Sequence, residues 1–385
     1  MEEVIASAPG KMLLLGSYAV LEKPNVGYVV SLNKRVYARV SESENRFEFE
    51  FPDFKIRTTA DFEGQELVYE PGSERATDFT DTATKLSLRY ISEKGYKLRH
   101  FKLTTHNNPA FTYQWGKSKS GLGSSSAVTV ATIAAILAFH GFDVIENKDT
   151  IHKLAQLSHN ITQGKVGSGF DIAACVYGGA VYERFSKKFI PDVLPGTIKG
   201  IIDRDWDYRI DPLPFPDVLH TIVGYTGSAA NTRIMVRKVR EWAAKSPDEY
   251  AALLHTLNEE DKKAIGALRD INENRGGAID KFAKSFMLSR KLTRELGRRS
   301  GAPIETPELS QMIDAALEAG AIASKLPGAG GGDSIIAIYT DEKVRQSIHD
   351  AWKRFDIKPT RDMRIESDGI RMENKFPVCY ESQNK

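Results

Sequence analysis

Apolar and polar positions divide the chain into a strand-rich first part and a helix-rich second part. Short apolar runs at residues 12–15 and 26–40 predict buried strands, and phenylalanine alternates with charged residues from 46 to 56, as on a half-exposed strand. Apolar residues recur at helical spacing in the second part. They predict amphipathic helices at 231–244, 248–274, 277–297 and 307–320. Strands predicted at 219–224, 335–339 and 364–371 complete a compact α+β unit.

The first part also contains three predicted helices, at residues 81–93, 125–140 and 148–163, and a strand at 100–105. The helix at 125–140 differs from the others because it has no Asp, Glu, Lys or Arg. We therefore expect it to be buried on nearly all sides. Its apolar run includes threonines and is too short to cross a bilayer, so no membrane partner is expected.

Composition and charge are those of an ordinary globular protein. The 385-residue chain has a formal net charge of +2, so nucleic acid is not an expected partner. Five prolines within residues 191–216 predict a connection between an N-terminal domain, 1–190, and a C-terminal domain, 217–385. Two distant cysteines, Cys175 and Cys379, and an acidic start unlike a secretory signal predict a cytoplasmic protein.

Three glycine-rich turns carry the candidate chemistry. One precedes the uncharged helix and reads Gly121-Leu122-Gly123-Ser124-Ser125-Ser126-Ala127. Such a turn presents backbone N–H groups at the positive end of a helix, where phosphate binds, and its serines offer hydroxyls to phosphate or metal. The other two turns are Pro9-Gly10-Lys11 and Pro327-Gly328-Ala329-Gly330-Gly331-Gly332-Asp333. We call the three, in chain order, the first, second and third glycine turns.

Several common phosphate and metal motifs are absent from the sequence. A P-loop is excluded because Met12 follows Gly10-Lys11, where the motif requires Ser or Thr. The dinucleotide fingerprint is excluded because serine replaces its third glycine in the second turn. No His-Glu-x-x-His zinc signature occurs, and His152 and His159, seven residues apart on one predicted helix, are expected to pack rather than to bind a metal.

In order and spacing, the three glycine turns resemble the three motifs of the GHMP kinase superfamily of small-molecule kinases. The resemblance covers essentially the whole chain. It implies an α+β fold of two domains, an N-terminal ribosomal-protein-S5-like α/β domain and a C-terminal ferredoxin-like domain. It also implies that ATP binds to the N-terminal domain and that the active site lies in the cleft between the domains. A monomer or a homodimer is expected.

The resemblance implies roles for individual residues. Lys11 and Asp171 match the catalytic lysine and aspartate of the superfamily. The residues expected to bind ATP are Gly121, Leu122, Gly123, Ser124, Ser125 and Ser126. The residues expected to bind the acceptor are Lys165, Ser168, Gly169, Ser228, Gly330 and Gly331.

Magnesium is the second cofactor that the resemblance implies. Mevalonate kinases place a magnesium-binding glutamate eleven residues before the catalytic aspartate, and Asn160 stands at that position here. A neutral amide is a poor substitute for a carboxylate on Mg²⁺. The expected ligands are therefore the Ser125 hydroxyl, ATP oxygens and water, with Asp171 as a further candidate.

Within the superfamily, residues 163–174 are most similar to the phosphomevalonate kinase family, because the His and Pro usual in mevalonate kinases are missing from this segment. The implied reaction is the phosphorylation of 5-phosphomevalonate by ATP to 5-diphosphomevalonate, in the mevalonate pathway of isoprenoid biosynthesis. Alternatives are a mevalonate kinase or another small-molecule kinase of the superfamily, a diphosphomevalonate decarboxylase, and a non-catalytic ligand sensor.

A phosphate acceptor changes the task expected of Asp171. The second pKa of a phosphomonoester is about 6, so near pH 7 the acceptor is largely a dianion and needs no base. The chief problem is to bring two anions together, which calls for cations and helix N-termini. We therefore expect Lys11 to contribute more to the rate than Asp171, and Asp171 mainly to position Lys11 and Mg²⁺.

Overall fold

The computed structural model describes residues 3–111, 121–164, 167–227, 231–360 and 362–377. Lys165, Ser228 and Cys379 lie outside the described residues. Among those described, no helix is both long and apolar enough to cross a membrane. The strands are β1 (Glu3–Leu15), β2 (Val26–Glu42), β3 (Phe47–Phe51), β4 (Ile56–Glu63), β5 (Glu66–Tyr69), β6 (Phe101–Asn107), β7 (Ala180–Glu183), β8 (Arg209–Pro212), β9 (His220–Tyr225), β10 (Ala323–Lys325), β11 (Ser334–Tyr339), β12 (Lys358–Pro359), β13 (Ile365–Glu366) and β14 (Arg371–Met372). The helices are α1 (Asp78–Glu93), α2 (Ser124–Phe139), α3 (Lys148–Gln163), α4 (Phe170–Tyr177), α5 (Lys199–Ile202), α6 (Thr232–Lys245), α7 (Pro247–Asn272), α8 (Ala278–Ser300), α9 (Pro307–Glu318) and α10 (Lys343–Lys353).

The first sheet is built on the long antiparallel pair of β1 and β2. Its main path runs β14-β1-β2-β6-β3-β4-β5, and β7, β8 and β13 join off this path. The register of β1 on β2 shifts between Pro9 and Gly10, which places a local irregularity in the first glycine turn. Such irregularities re-aim the side chains that follow them, and Lys11 is the next residue.

The uncharged helix α2 packs against β1, β2 and the helices α1, α3 and α4. Most of its side chains are buried, from Ala127 near its start to Phe139 at its end. This confirms the burial expected from the absence of charge. The N-terminus of α2 is thereby held against β1, which also carries Lys11.

The second sheet has the order β10-β11-β9-β12 and is covered on both faces. Side chains alternate along β11, as the strand period of two requires. Ile336 and Ile338 pack into a core that includes α7 and α8, for example Phe282 and Phe286. The alternate residues Ile335, Ala337 and Tyr339 pack with α9 and α10 on the other face.

Two strand predictions are wrong in detail. The run at 46–56 is split into β3 and β4, because Pro52 begins a short 3-10 turn and Lys55 adopts a left-handed conformation. The strand predicted at 364–371 is two short strands, β13 and β14, which pair with β2 and β1 rather than with the second sheet. Because both pairings are non-local, no local sequence pattern reveals them.

The segment 191–216, predicted as a connection, includes β8, which pairs with β7 in the first sheet. The return of β13 and β14 to that sheet likewise brings residues from beyond 217 into contact with the N-terminal part. The proposed domain limits stay a prediction.

Candidate active site

A cleft of about 950 Å³ lies where the three glycine turns meet. The residues of β1, α2 and α4 form one wall, and the start of α6 with the third glycine turn forms the other. Of the predicted site residues within the described ranges, those lining the cleft are Lys11, Gly121, Leu122, Gly123, Ser124, Ser125, Ser168, Asp171 and Gly330. Those that do not line it are Ser126, Gly169 and Gly331.

Lys11 links the first glycine turn to the second. Its backbone N–H donates to the Leu122 carbonyl at 2.9 Å, and its ammonium donates to the Gly121 carbonyl at 3.2 Å. The ammonium also lies 5.3 Å from the ring centroid of Phe170, a cation–π contact. A Cβ at Gly123 would lie 2.6 Å from Lys11 Cε, so this glycine gives the lysine its path across the turn.

The second glycine turn leads directly into α2. Gly123 adopts a left-handed conformation, with φ of 86°, immediately before the helix. The Ser126 hydroxyl donates to the Gly123 carbonyl at 2.9 Å, so Ser126 holds the turn, whereas Ser124 and Ser125 face the cleft. A contact between Ser126 and ATP stays a prediction.

Asp171 lies in the first turn of α4, next to a buried histidine at the end of α3. Its Oδ2 lies 3.6 Å from His159 Nε2, and the same nitrogen lies 3.4 Å from Ser125 Oγ. Burial lowers the pKa of His159, and the nearby Asp171 carboxylate opposes this effect. His159 is therefore neutral near pH 7. A separate observation is that the described contacts of Lys11 include no ion pair with Asp171.

Ser168 and Gly169 lie just before α4. Ser168 is 2% exposed, and its hydroxyl has no hydrogen-bond partner among the described residues. The carbonyl of Gly169 accepts a hydrogen bond from Gln156 Nε2 at 2.7 Å, and a Cβ at Gly169 would lie 2.4 Å from Gln156 Oε1. Gly169 therefore fixes the shape of the turn on the side away from the cleft, while Ser168 lines the cleft.

The third glycine turn is attached to the end of β1 and to the residues that follow it. The Gly328 N–H donates to the Leu13 carbonyl at 2.9 Å. The Ser17 hydroxyl donates to the Gly328 carbonyl at 3.2 Å, and the Tyr18 hydroxyl donates to the Ala329 carbonyl at 3.1 Å. These bonds join the third turn to the end of the strand that carries the first turn.

The remaining glycines of the third turn pack against the protein backbone. The Gly331 N–H donates to the Ile304 carbonyl at 2.7 Å, and a Cβ at Gly330 would lie 2.6 Å from the same carbonyl oxygen. The amide of Gly331 is thus already used within the protein. Acceptor binding by Gly331 stays a prediction, and one that this geometry does not favour.

Sequence reasoning missed several residues that line or adjoin the cleft: Asp78, His159, Gln163, Arg233 and Asp333. A signal existed for His159 and Gln163, which lie four residues apart on the last turn of α3, directly before the segment that leads to Asp171. His152, on the same helix, is fully buried beside Tyr208, as the expectation of packing predicted.

Arg233 joins the two walls of the cleft. It lies in the first turn of α6, and its Nη2 donates to the Gln163 carbonyl at 3.3 Å. Gln163 Nε2 in turn lies 3.4 Å from Ser125 Oγ in the second glycine turn. Within the described ranges Arg233 has no carboxylate partner, so it is a cation available to an anion in the cleft.

The donor set of the cleft suits a hard cation. No group of three or more His, Cys, Asp and Glu residues able to hold a metal occurs in the described part of the chain. The cleft instead offers the Ser125 hydroxyl and the carboxylates of Asp78, Asp171 and Asp333. Magnesium is usually held by one or two carboxylates together with substrate phosphates and water, so these residues fit a magnesium ion that arrives with ATP.

Comparisons with known proteins identify the family. Residues 82–179 match the model of the GHMP kinases N terminal domain, and residues 267–358 match that of the GHMP kinases C terminal domain. A phosphomevalonate kinase of Saccharolobus solfataricus is 30% identical, with 94% of this chain and 99% of that protein covered. A mevalonate kinase of Pyrococcus horikoshii is 29% identical, with 87% of this chain and 88% of that protein covered.

A solved structure shares the fold. The phosphomevalonate kinase of Streptococcus pneumoniae, in complex with phosphomevalonate and AMPPNP, superposes with a TM-score of 0.75 at 22% identity, over 95% of this chain and all of that one. The chain belongs to the GHMP kinase superfamily and has its two-domain α+β fold. It is an ATP-dependent phosphotransferase of that superfamily, most similar to its phosphomevalonate kinases.

Proposed function

We propose that this kinase transfers the γ-phosphoryl group of ATP to the phosphate of 5-phosphomevalonate, giving ADP and 5-diphosphomevalonate. The observation that carries the proposal is the position of Lys11, whose ammonium lies between the Gly121 carbonyl of the second turn and the Phe170 ring beside Asp171. A cation there can approach both the γ-phosphate and an anionic acceptor. The similarity to phosphomevalonate kinases supports the choice of acceptor.

In the proposed reaction, the second glycine turn binds the ATP phosphates through the N-terminus of α2 and the hydroxyls of Ser124 and Ser125. Lys11 reduces the repulsion between the two phosphates as they approach, and it stabilises the charge on the transferred group. Arg233 and the Ser168 hydroxyl, which has no partner within the described ranges, offer further donors to the acceptor. Magnesium would be held by Ser125 and by Asp171 or Asp78, and would supply further neutralisation of charge on ATP.

Asp171 is expected to orient groups rather than to remove a proton. A dianionic acceptor carries no proton at the attacking oxygen near pH 7, so the transfer needs no base. In the proposed site Asp171 fixes the metal and the approach of the acceptor. We expect Asp171→Asn to keep more activity with 5-phosphomevalonate at pH 8 than Lys11→Met does.

The second candidate is phosphorylation of mevalonate itself. It is favoured by the similarity to mevalonate kinases and by an aspartate at the cleft that could act as a base toward a hydroxyl. In that case Asp171→Asn would abolish turnover at every pH, since a hydroxyl acceptor must lose its proton.

The test is ADP release by the purified protein with mevalonate and with 5-phosphomevalonate as separate acceptors, each at saturating ATP and magnesium. Turnover of 5-phosphomevalonate with kcat/KM at least about 100-fold above that of mevalonate is expected, because an acceptor lacking its phosphate leaves buried donors unpaired. The reverse preference would establish the second candidate. If no ADP is released with either acceptor, both candidate functions are excluded. An assay of carbon dioxide release would then test whether the protein is a decarboxylase.

A further inference from the structure

Two ionisable side chains are buried behind the cleft, where no ligand reaches them. Asp261 of α7 is 0% exposed and Lys325 at the end of β10 is 2% exposed, and neither lines the cleft. Burying a charge is costly unless a partner compensates it. Burial raises the pKa of Asp261 to about 6 against the opposing effect of Lys325, and burial lowers the pKa of Lys325.

Ser289 of α8 joins these two groups. Its hydroxyl donates to Asp261 Oδ1 at 2.7 Å and accepts from Lys325 Nζ at 3.4 Å. The ammonium also lies 5.3 Å from the ring centroid of Phe286, one helical turn before Ser289. Helices α7 and α8 and strand β10 are thus joined by a buried polar group.

The other oxygen of Asp261 reaches the first sheet. Asp261 Oδ2 accepts a hydrogen bond from the backbone N–H of Gly16 at 3.0 Å. Gly16 follows β1 directly and has φ of 109°, and a Cβ there would lie 2.6 Å from the Cα of Gly27. The residue after it, Ser17, also has a positive φ, of 36°. The conformation of this bend therefore tolerates little adjustment. Asp261 binds the bend on the side away from the cleft.

Both ends of the buried group lead to the glycine turns. Beyond Gly16, Ser17 and Tyr18 donate hydrogen bonds to the carbonyls of Gly328 and Ala329 in the third turn. Lys325 lies two residues before Pro327, which begins the same turn. Along β1, Leu13 accepts a hydrogen bond from the Gly328 amide, and Lys11 lies two residues further back.

We propose that Asp261, Ser289 and Lys325 act as a positioning unit that fixes the first and third glycine turns relative to each other, and with them the ammonium of Lys11. The role assigned to Lys11 rests on the proposed function. The unit itself touches neither nucleotide nor acceptor. Its effect on the reaction passes through the Gly16 hydrogen bond and the backbone of β1.

The test compares two double variants that both remove the buried charges. In Asp261→Asn/Lys325→Met, the amide oxygen can still accept from Gly16 and the amide nitrogen can donate to Ser289. In Asp261→Leu/Lys325→Met, the volume is similar but no acceptor for Gly16 remains. A third variant, Glu259→Gln/Lys262→Met, removes an exposed ion pair of the same helix, whose atoms lie 2.8 Å apart, and serves as the control.

The first measurement is of kcat and KM with whichever acceptor the protein phosphorylates. The assay temperature is well below the melting temperature of each variant. The Leu/Met variant is expected to have kcat lowered about 10- to 100-fold relative to the Asn/Met variant, with KM for ATP changed less than about threefold, because small displacements of a reacting group cost about this much. The control variant should have the same kcat as the unmodified protein. Equal kcat in the Leu/Met and Asn/Met variants would overturn the proposal.

The second measurement is amide hydrogen exchange without any ligand, which does not depend on the acceptor. Faster exchange in the Leu/Met variant is expected at residues 11–18 and 326–334 together, and not in α9 or α10. If exchange changes only in α7 and α8, then Asp261, Ser289 and Lys325 stabilise the two helices and do not position the glycine turns. If exchange couples the two turns but neither acceptor is phosphorylated, the proposed function fails and the positioning unit stands.

Discussion

The two walls of the cleft are both glycine-rich, yet their hydrogen bonds are arranged in opposite ways. On the wall formed by β1, α2 and α4, the Ser168 hydroxyl has no hydrogen-bond partner in the described part of the chain. On the wall formed by the third turn, the Gly331 amide and the Gly328 carbonyl are already engaged with other parts of the protein.

This difference indicates a division of tasks. Buried polar groups almost always have partners, so open ones at a cleft indicate where water or a ligand completes them. The wall with open donors is the one that would hold phosphates. The wall with satisfied backbone groups is attached to the opposite wall through the hydrogen bond from the Gly328 amide to Leu13 of β1, the strand that carries Lys11.

The largest expected effect is that of Lys11→Met on catalysis. Removing the cation from between two anionic groups should lower kcat about 100- to 1,000-fold, the range found when one donor to a developing charge is deleted. Lys97→Met, at an exposed position away from the cleft, is the control. A steady-state assay at saturating substrates checks this, and a loss of less than about tenfold would show that Lys11 is peripheral.

One substitution made on both walls tests the division directly. Gly123→Ala places a Cβ 2.6 Å from Lys11 Cε, a movable side-chain atom, so activity should fall at least about tenfold as Lys11 is displaced. Gly330→Ala places a Cβ 2.6 Å from the Ile304 carbonyl oxygen and requires φ of 74°. It should cost about 2–4 kcal/mol of the free energy of unfolding.

The control for these glycines is Gly301→Ala, at the C-terminus of α8. Gly301 has φ of 67°, and nothing lies within 4 Å of its Cβ position. The free energy of unfolding of Gly301→Ala should fall by about 1–2 kcal/mol through backbone strain alone. Measuring kcat and the free energy of unfolding in denaturant for all three variants separates effects on activity from effects on stability. The proposed division of tasks between the walls is wrong if Gly123→Ala and Gly330→Ala lose activity and stability in the same proportion.

A smaller effect is expected from Arg233→Gln, which removes the cation that joins the walls. The KM for 5-phosphomevalonate should rise about tenfold, in the range of one charge-assisted hydrogen bond, while the KM for mevalonate changes little. Arg237→Gln, one turn further along α6 and paired with Glu241, is the matched control. A rise in the KM for ATP instead would assign Arg233 to the nucleotide.

The smallest effect concerns pH and the buried part of the first wall. Burial lowers the pKa of His152 from the ordinary 6.5 to about 3. The unfolded chain therefore takes up a proton below pH 6.5 that the native chain refuses until about pH 3, so this residue makes stability fall as pH falls through that window. Its contribution to the slope is at most about 1.4 kcal/mol per pH unit.

Urea unfolding of the unmodified chain and of His152→Gln between pH 7.5 and 5 measures this contribution. The variant is expected to be less stable at pH 7.5, because the buried site repacks, but to lose less stability as the pH falls. Parallel pH profiles for the two chains would show that His152 does not resist protonation.

The cleft was predictable because its chemistry is local in sequence. Each glycine turn is contiguous, and the start of α2 follows directly from Gly123 and the serines after it. The bounds of α3 agree with the apolar spacing of Lys148–Gln163. Cys175 is buried, where a free cysteine packs as a small apolar side chain.

The remaining features depend on pairings that no local pattern encodes. Asp261 and Lys325 look like surface charges, because α7 is amphipathic overall and Lys325 ends a three-residue strand. Their burial follows from the approach of β1 to α7, across more than half of the chain. His159 has the same difficulty, since its proximity to Asp171 depends on the path of the turn between α3 and α4.

The return of β13 and β14 to the first sheet has a consequence for the order in which the protein is made. The guanidinium of Arg35 is 4% exposed and donates to the carbonyl of Gly369 and to Glu366, which stand more than 300 residues later. A ribosome releases those residues after all of the second sheet. The first sheet therefore contains a buried arginine whose acceptors Glu366 and Gly369 are synthesised more than 300 residues after it, and β13 and β14 can join the sheet only after the second sheet has been made.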